Sequence, residues 1–95
     1  GQWLDVPPLP GAFVVNVGDM MQRWTNDRWP STLHRVINRL AGRDRYSIAY
    51  FFDLDAEASI EPLHTCVSAT HPARYAPLTA GEHLIEMYRR TTVAA

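Results

Sequence analysis

Lysine is missing from this chain, and all nine of its basic residues are arginines. Without an ε-amine there is no ordinary Schiff-base nucleophile, which sets aside pyridoxal-phosphate and aldolase chemistry. Cysteine is almost missing too. The single Cys66 cannot close an internal disulfide, so a small secreted scaffold held by bridges is excluded and a reducing, cytoplasmic setting is expected. Charge of one sign is equally scarce. A net charge of −1 with 20% charged residues gives no electrostatic basis for binding nucleic acid. No window of about 20 apolar residues exists, and no charged-then-apolar pattern opens the chain, so neither a membrane span nor a targeting segment is expected.

What is present suits a packed core. The chain is 46% hydrophobic, which excludes intrinsic disorder, and 95 residues make one small domain. A chain near this size buries only about 60% of the surface that its unfolded form exposes. The sequence opens at Gly1 with the apolar pair Trp3-Leu4 already in place, and the expectation is a piece of something longer.

Pro7, Pro8 and Pro10 hold the first segment extended. Ala12–Val17 then reads as a strand covered on both faces, ending at Gly18. Asp19, with Gln22 three residues on, is expected to cap a short helix through Met20, Met21 and Trp24. Thr25-Asn26-Asp27 and Pro30 are turn chemistry. Thr32–Ile37 alternates in strand fashion, and Tyr46–Phe52 carries the strongest strand signal, with aromatic and β-branched residues and no breaker. Residues 53–79 read as an irregular connection, long enough that it should cover a surface or serve a site. Residues 80–92 read as a terminal helix: Thr79-Ala80-Gly81-Glu82 is a capping box, Leu84, Ile85 and Tyr88 form an apolar stripe, and Glu86 can pair with Arg90. His83 on this helix reads as a surface residue.

The expected fold class is therefore mainly β, part of a sandwich or jelly roll, with a short helix after the first strand and a helix at the end. So few strands cannot close a barrel or cover both faces of Tyr46–Phe52, and their open edges invite pairing with another chain.

Two constellations carry chemistry. His34 points the same way as Thr32 and Val36, while Leu33, Arg35 and Ile37 point the other way. A neutral imidazole there is a good metal ligand; a core histidine with its hydrogen bonds satisfied is the alternative. Arg45 and Ser47 leave one face of a strand roughly 7 Å apart. A guanidinium and a hydroxyl at that spacing suit one carboxylate guest, the alternative being an Arg45 ion pair with Asp44 or Asp53. Other groupings are poorer. His64, Cys66 and His71 match no compact zinc spacing, and Asp53, Asp55, Glu57 and Glu61 lack the glycine that a calcium loop requires.

The succession Asn16-Val17-Gly18-Asp19, then Ser31-Thr32-Leu33-His34-Arg35-Val36, then Arg43-Asp44-Arg45-Tyr46-Ser47-Ile48 followed by Phe51-Phe52, resembles the C-terminal half of the iron(II)/2-oxoglutarate dioxygenases of the isopenicillin N synthase-like family. The resemblance runs from Trp3 and Pro7-Pro8 to Thr79–Glu82 and so covers nearly the whole chain. It implies a double-stranded β-helix, with residues 1–95 as a single incomplete domain. His34 becomes the second histidine of the Fe(II) triad, and Arg45 and Ser47 become the anchor for 2-oxoglutarate. Isopenicillin N synthase itself keeps the arginine–serine pair without using 2-oxoglutarate, so the pair implies a carboxylate guest first and that co-substrate second. Asn16, Gly18 and Asp19 read as scaffold or as support for His34, with Gly18 supplying a backbone conformation closed to other residues. The implied activity is hydroxylation, desaturation or cyclisation of a small molecule, with decarboxylation of 2-oxoglutarate to succinate.

The family's first histidine and its carboxylate come from an H-x-D motif. None of His34, His64, His71 and His83 is followed two residues on by an aspartate. The expectation is one ligand of the triad together with the co-substrate clamp, inactive alone, with the N-terminal half of the domain or another copy of the chain as partner. The competing expectation is a non-catalytic β module or oligomerising fragment lacking a complete metal site.

Overall fold

A computed structural model describes residues 1–93. In chain order it contains helix α1 (Asp19–Trp24), strand β1 (Ser59–Ile60), a single 3-10 turn (His64–Cys66), strand β2 (Leu78–Thr79) and helix α2 (Ala80–Val93).

The core forms where the two strands meet the start of α2. β1 and β2 pair antiparallel, Ser59 opposite Thr79 and Ile60 opposite Leu78. Ile60 is fully enclosed and Ala80 nearly so. The capping box predicted at the head of α2 forms: the Glu82 amide donates to the Thr79 hydroxyl at 3.1 Å, and the Thr79 amide donates to the Glu82 carboxylate at 2.8 Å. Two further amides of the first turn, those of Ala80 and Gly81, donate at 2.9 Å to the carbonyls of Ala58 and Ala56. The donors that a helix start leaves free are thus used to fasten α2 to the chain ahead of β1. The Glu86–Arg90 pair also forms.

Helix α1 starts differently from the expectation. Gly18 occupies the N-cap position with φ −91° and ψ 175°, an extended conformation open to any residue, and no side chain caps the helix. Asp19 is the first helical residue, where its carboxylate still opposes the positive end of the helix dipole. Neither role predicted for these two residues holds. The other end is more elaborate. Asn26 and Asp27 take φ +52° and +67°. The Asp27 amide donates to the Gln22 carbonyl at 2.9 Å and the Asn26 amide to the Arg23 carbonyl at 3.1 Å, the paired bonds of a Schellman ending with asparagine in the left-handed position.

Three segments expected as strands, 12–17, 32–37 and 46–52, carry no ladder in this structure. The one sheet found among the described residues is the β1–β2 pair. The segments are extended but exposed, with Phe13 95% and Ile48 fully accessible. A turn precedes the first of them, and helix α1 and a turn at Leu40–Arg43 separate them. Leu9-Pro10-Gly11-Ala12 is closed by a 3.1 Å bond and places Gly11 at φ +75°, the left-handed position that a type II turn reserves for glycine. The physical reason for the missing ladders is that a strand exists only against a neighbour, and no described segment lies beside these three in register. The radius of gyration, 16.6 Å, accordingly exceeds the roughly 12 Å of a compact domain of this length.

Helix α2 also turns a different face inward. Leu84, Ile85 and Tyr88 are exposed, while His83, expected at the surface, is 4% accessible and faces Arg23 of α1. His83 Nδ1 and Arg23 Nε are both buried without partners. Burial, and secondarily the Arg23 charge, lower the His83 pKa from its ordinary 6.5; Asp19 and Glu86 oppose the shift and Arg90 adds to it. A base held neutral in the fold but free to protonate when unfolded makes the unfolded state bind more protons. Stability is therefore fully present above the unfolded value of 6.5 and is lost as pH falls through it toward the folded pKa. The melting temperature should fall on acidification across that window, and His83→Leu should flatten this part of the profile. An unchanged profile in the variant would refute the assignment.

Candidate functional site

The residues singled out in the sequence lie on two extended segments joined by the 38–43 turn. Asn38 closes that turn, its amide donating to the Arg43 carbonyl at 2.9 Å. No hydrogen bond joins His34 to Arg45 or Ser47 among the described residues, and all three side chains are exposed.

The His34 ring is oriented by its own backbone. Its Nδ1 lies 3.0 Å from the Thr32 carbonyl oxygen. A carbonyl can only accept, so Nδ1 carries a hydrogen, which in the neutral ring leaves the lone pair on Nε2. This is the arrangement of a metal-ligating histidine, in which the far nitrogen is oriented by a carbonyl or carboxylate. The next residue fixes the opposite face. The Arg35 guanidinium stacks over the Trp3 ring at 4.0 Å, and Arg39 reaches Asp5 at 3.4 Å. Since neighbours in an extended chain point to opposite sides, the N-terminal arm covers the Arg35 side and His34 faces away from it.

Arg45 has no acidic partner among the described residues. Asp44, one of the two partners considered for it, instead accepts a long 3.5 Å hydrogen bond from the Tyr46 hydroxyl. The guanidinium and the Ser47 hydroxyl are thus free for a carboxylate.

The donor set falls short of a complete metal centre. No group of three histidine, cysteine, aspartate or glutamate side chains converges among the described residues. His71, weighed as a zinc ligand, uses Nε2 on the Asn26 carbonyl at 2.9 Å. Among the described residues, then, His34 has no pair of further metal-ligating side chains beside it that would complete a metal centre.

Sequence reasoning passed over the residue that organises this region. Asn26 is fully buried, and its side-chain amide donates to the carbonyls of Cys66 and Pro72, both at 3.1 Å, while its oxygen accepts from the Arg74 amide at 2.9 Å. Asp27 beside it pairs with Arg74 at 2.5 Å and accepts from the Tyr75 hydroxyl. A helix-ending asparagine tolerant of positive φ was the available signal, but its partners lie 40 to 48 residues away.

Residues 1–54, more than half of the chain, match the 2OG-Fe(II) oxygenase superfamily. The chain belongs to that superfamily. Fe(II) and 2-oxoglutarate are the metal and co-substrate this membership implies. Among its relatives, the 2-oxoglutarate-Fe(II) type oxidoreductase hxnY of Emericella nidulans is 44% identical over 96% of this chain and 26% of its own length. Homoarginine-6-hydroxylase 2-ODD-233 of Oryza sativa subsp. japonica is 40% identical over 90% of this chain and 26% of its own length. The crystal structure of a 2OG-Fe(II) oxygenase family protein from Caulobacter crescentus superposes with a TM-score of 0.89 at 42% identity, over 96% of this chain and 31% of that one. The chain thus spans about a quarter of the length of these curated oxygenases.

Proposed function

We propose that this chain is the C-terminal part of a non-haem Fe(II)/2-oxoglutarate-dependent oxidoreductase and supplies one iron ligand and the co-substrate clamp. The observation that carries the reading is the His34 imidazole with Nδ1 committed to Thr32 and Nε2 free. Arg45 would hold the distal carboxylate of 2-oxoglutarate through two parallel N–H donors, with the Ser47 hydroxyl adding a third bond. Bound there, Fe(II) and 2-oxoglutarate would supply the means to activate dioxygen, the oxidant: one of its oxygen atoms would enter succinate as 2-oxoglutarate loses carbon dioxide, and the other would enter a hydroxylated small molecule or leave as water in a desaturation or cyclisation.

Residues 1–95 then form one incomplete domain. The segments 12–17, 32–37 and 46–52 are strands of a double-stranded β-helix whose partner strands, with the H-x-D histidine and carboxylate, lie in the remainder of the enzyme. Their exposed apolar side chains are the faces those strands cover. The connection over 53–79 fastens α1 to α2. One imidazole does not hold Fe(II) usefully, so the 95 residues alone are inactive.

Anaerobic equilibrium dialysis of the complete enzyme tests the ligand assignment. His34→Ala should abolish stoichiometric retention of Fe(II). Retention of a full equivalent by the variant would overturn it.

A further inference from the structure

The bond that orients His34 is itself supported from α1. The Ser31 amide donates to Gln22 Oε1 at 2.5 Å, and Ser31 immediately precedes Thr32, whose carbonyl receives His34 Nδ1 at 3.0 Å. Gln22 belongs to a helix whose far end is pinned: the Thr25 hydroxyl donates to the Met21 carbonyl at 2.8 Å and accepts from the Trp29 amide at 3.1 Å, and Asn26 is locked into the 66–74 segment. The path from this rigid turn to the imidazole therefore runs through two hydrogen bonds and one intervening peptide unit. Thr32 and Leu33 are exposed, and among the described residues the bond from the Ser31 amide to Gln22 is the one hydrogen bond that ties this stretch to another element.

We propose that Gln22 is a positioning residue for His34: by holding the Ser31 amide it aims the Thr32 carbonyl, and through that carbonyl it keeps the imidazole in the Nδ1–H form with Nε2 presented. This rests on the assignment of His34 as an iron ligand. Gln22 touches no reacting atom, and its effect passes through the backbone alone. Losing an outer hydrogen bond to a metal-ligating histidine typically weakens the metal about 10- to 100-fold. An acceptor oxygen at position 22 is all the device requires.

The test uses the complete enzyme with three substitutions. Gln22→Met keeps length and helix preference but removes the oxygen, Gln22→Glu keeps an acceptor, and Ser31→Pro removes the donor without altering α1. Two quantities are read: the ring ¹⁵N resonances of His34 in the metal-free protein, which report the tautomer, and the anaerobic Fe(II) dissociation constant. Gln22→Met and Ser31→Pro should each move the ring from the Nδ1–H form toward a mixture and weaken Fe(II) about tenfold or more. Gln22→Glu should restore both, which a merely structural role for the glutamine would not achieve. If Gln22→Met fails to fold, Ser31→Pro reads the same bond from its other end. An unshifted tautomer and unchanged Fe(II) affinity in a folded Gln22→Met or Ser31→Pro protein would overturn the proposal, while His34→Ala still losing iron would leave the ligand assignment standing. Loss of iron in neither Gln22→Met nor His34→Ala would instead overturn the assignment itself.

Discussion

Arg45→Ala in the complete enzyme is expected to weaken 2-oxoglutarate binding by roughly 30-fold to several thousandfold. The side chain has no acidic partner among the described residues, so within them its removal strands no carboxylate. The whole effect falls on the guest. A carboxylate gripped by a guanidinium loses two charge-assisted bonds at once, and truncating one side of a desolvated pair of that kind costs about 2–5 kcal/mol. Arg45→Lys should recover only part of the affinity, since an ammonium restores the charge and not the parallel pair of donors. Ser47→Ala removes one hydroxyl donor and should cost about tenfold, in keeping with a single hydrogen bond to a charged group. Anaerobic titration calorimetry with 2-oxoglutarate measures all three. Equal affinities in wild type and Arg45→Ala would contradict the clamp.

The second large effect concerns stability. Asn26→Ala is expected to destabilise the fold by about 4 kcal/mol, combining buried groups left without partners at roughly 1–3 kcal/mol each with the cost of placing alanine in the left-handed region. The side chain joins three backbone groups, the carbonyls of Cys66 and Pro72 and the amide of Arg74, none of which another side chain replaces. Asn26→Gly should be less damaging than Asn26→Ala by about 1 kcal/mol, because glycine takes φ +52° without strain although it makes none of the bonds. Urea denaturation gives both values. A loss below about 1 kcal/mol in Asn26→Ala would show that the buried hub contributes far less than its geometry implies.

How much of this was legible in the sequence followed the range of the interactions. The capping box at Thr79 and Glu82 and the Glu86–Arg90 pair are made by residues three and four apart, and both form as the spacing predicts. The turn at Thr25-Asn26-Asp27 was legible as a turn. Its role as a hub was not, because the partners of Asn26 are far along the chain. The buried face of α2 was misread for a related reason. An apolar stripe marks the face that some partner covers, but within this chain α2 presents Ala80 and His83 to the core and leaves Leu84, Ile85 and Tyr88 exposed. The same holds for the three extended segments. Their β-branched and aromatic residues specify a pleated, half-buried surface, whereas a ladder depends on a neighbour that local sequence does not encode. For the proposed site, His34, Arg45 and Ser47 were singled out through the family resemblance. The Thr32 carbonyl that sets the His34 tautomer was not, because a backbone acceptor leaves no mark in the residue types.

The central claim is that these residues make up one share of an oxygenase active site. Its most direct test is an anaerobic titration with Fe(II) and 2-oxoglutarate, following the visible charge-transfer absorption of the chelated complex. The purified 95-residue chain should give no band, and the band should appear when the chain is joined to the portion carrying the H-x-D motif. A band from the chain alone, or none from the complete enzyme, would contradict the account.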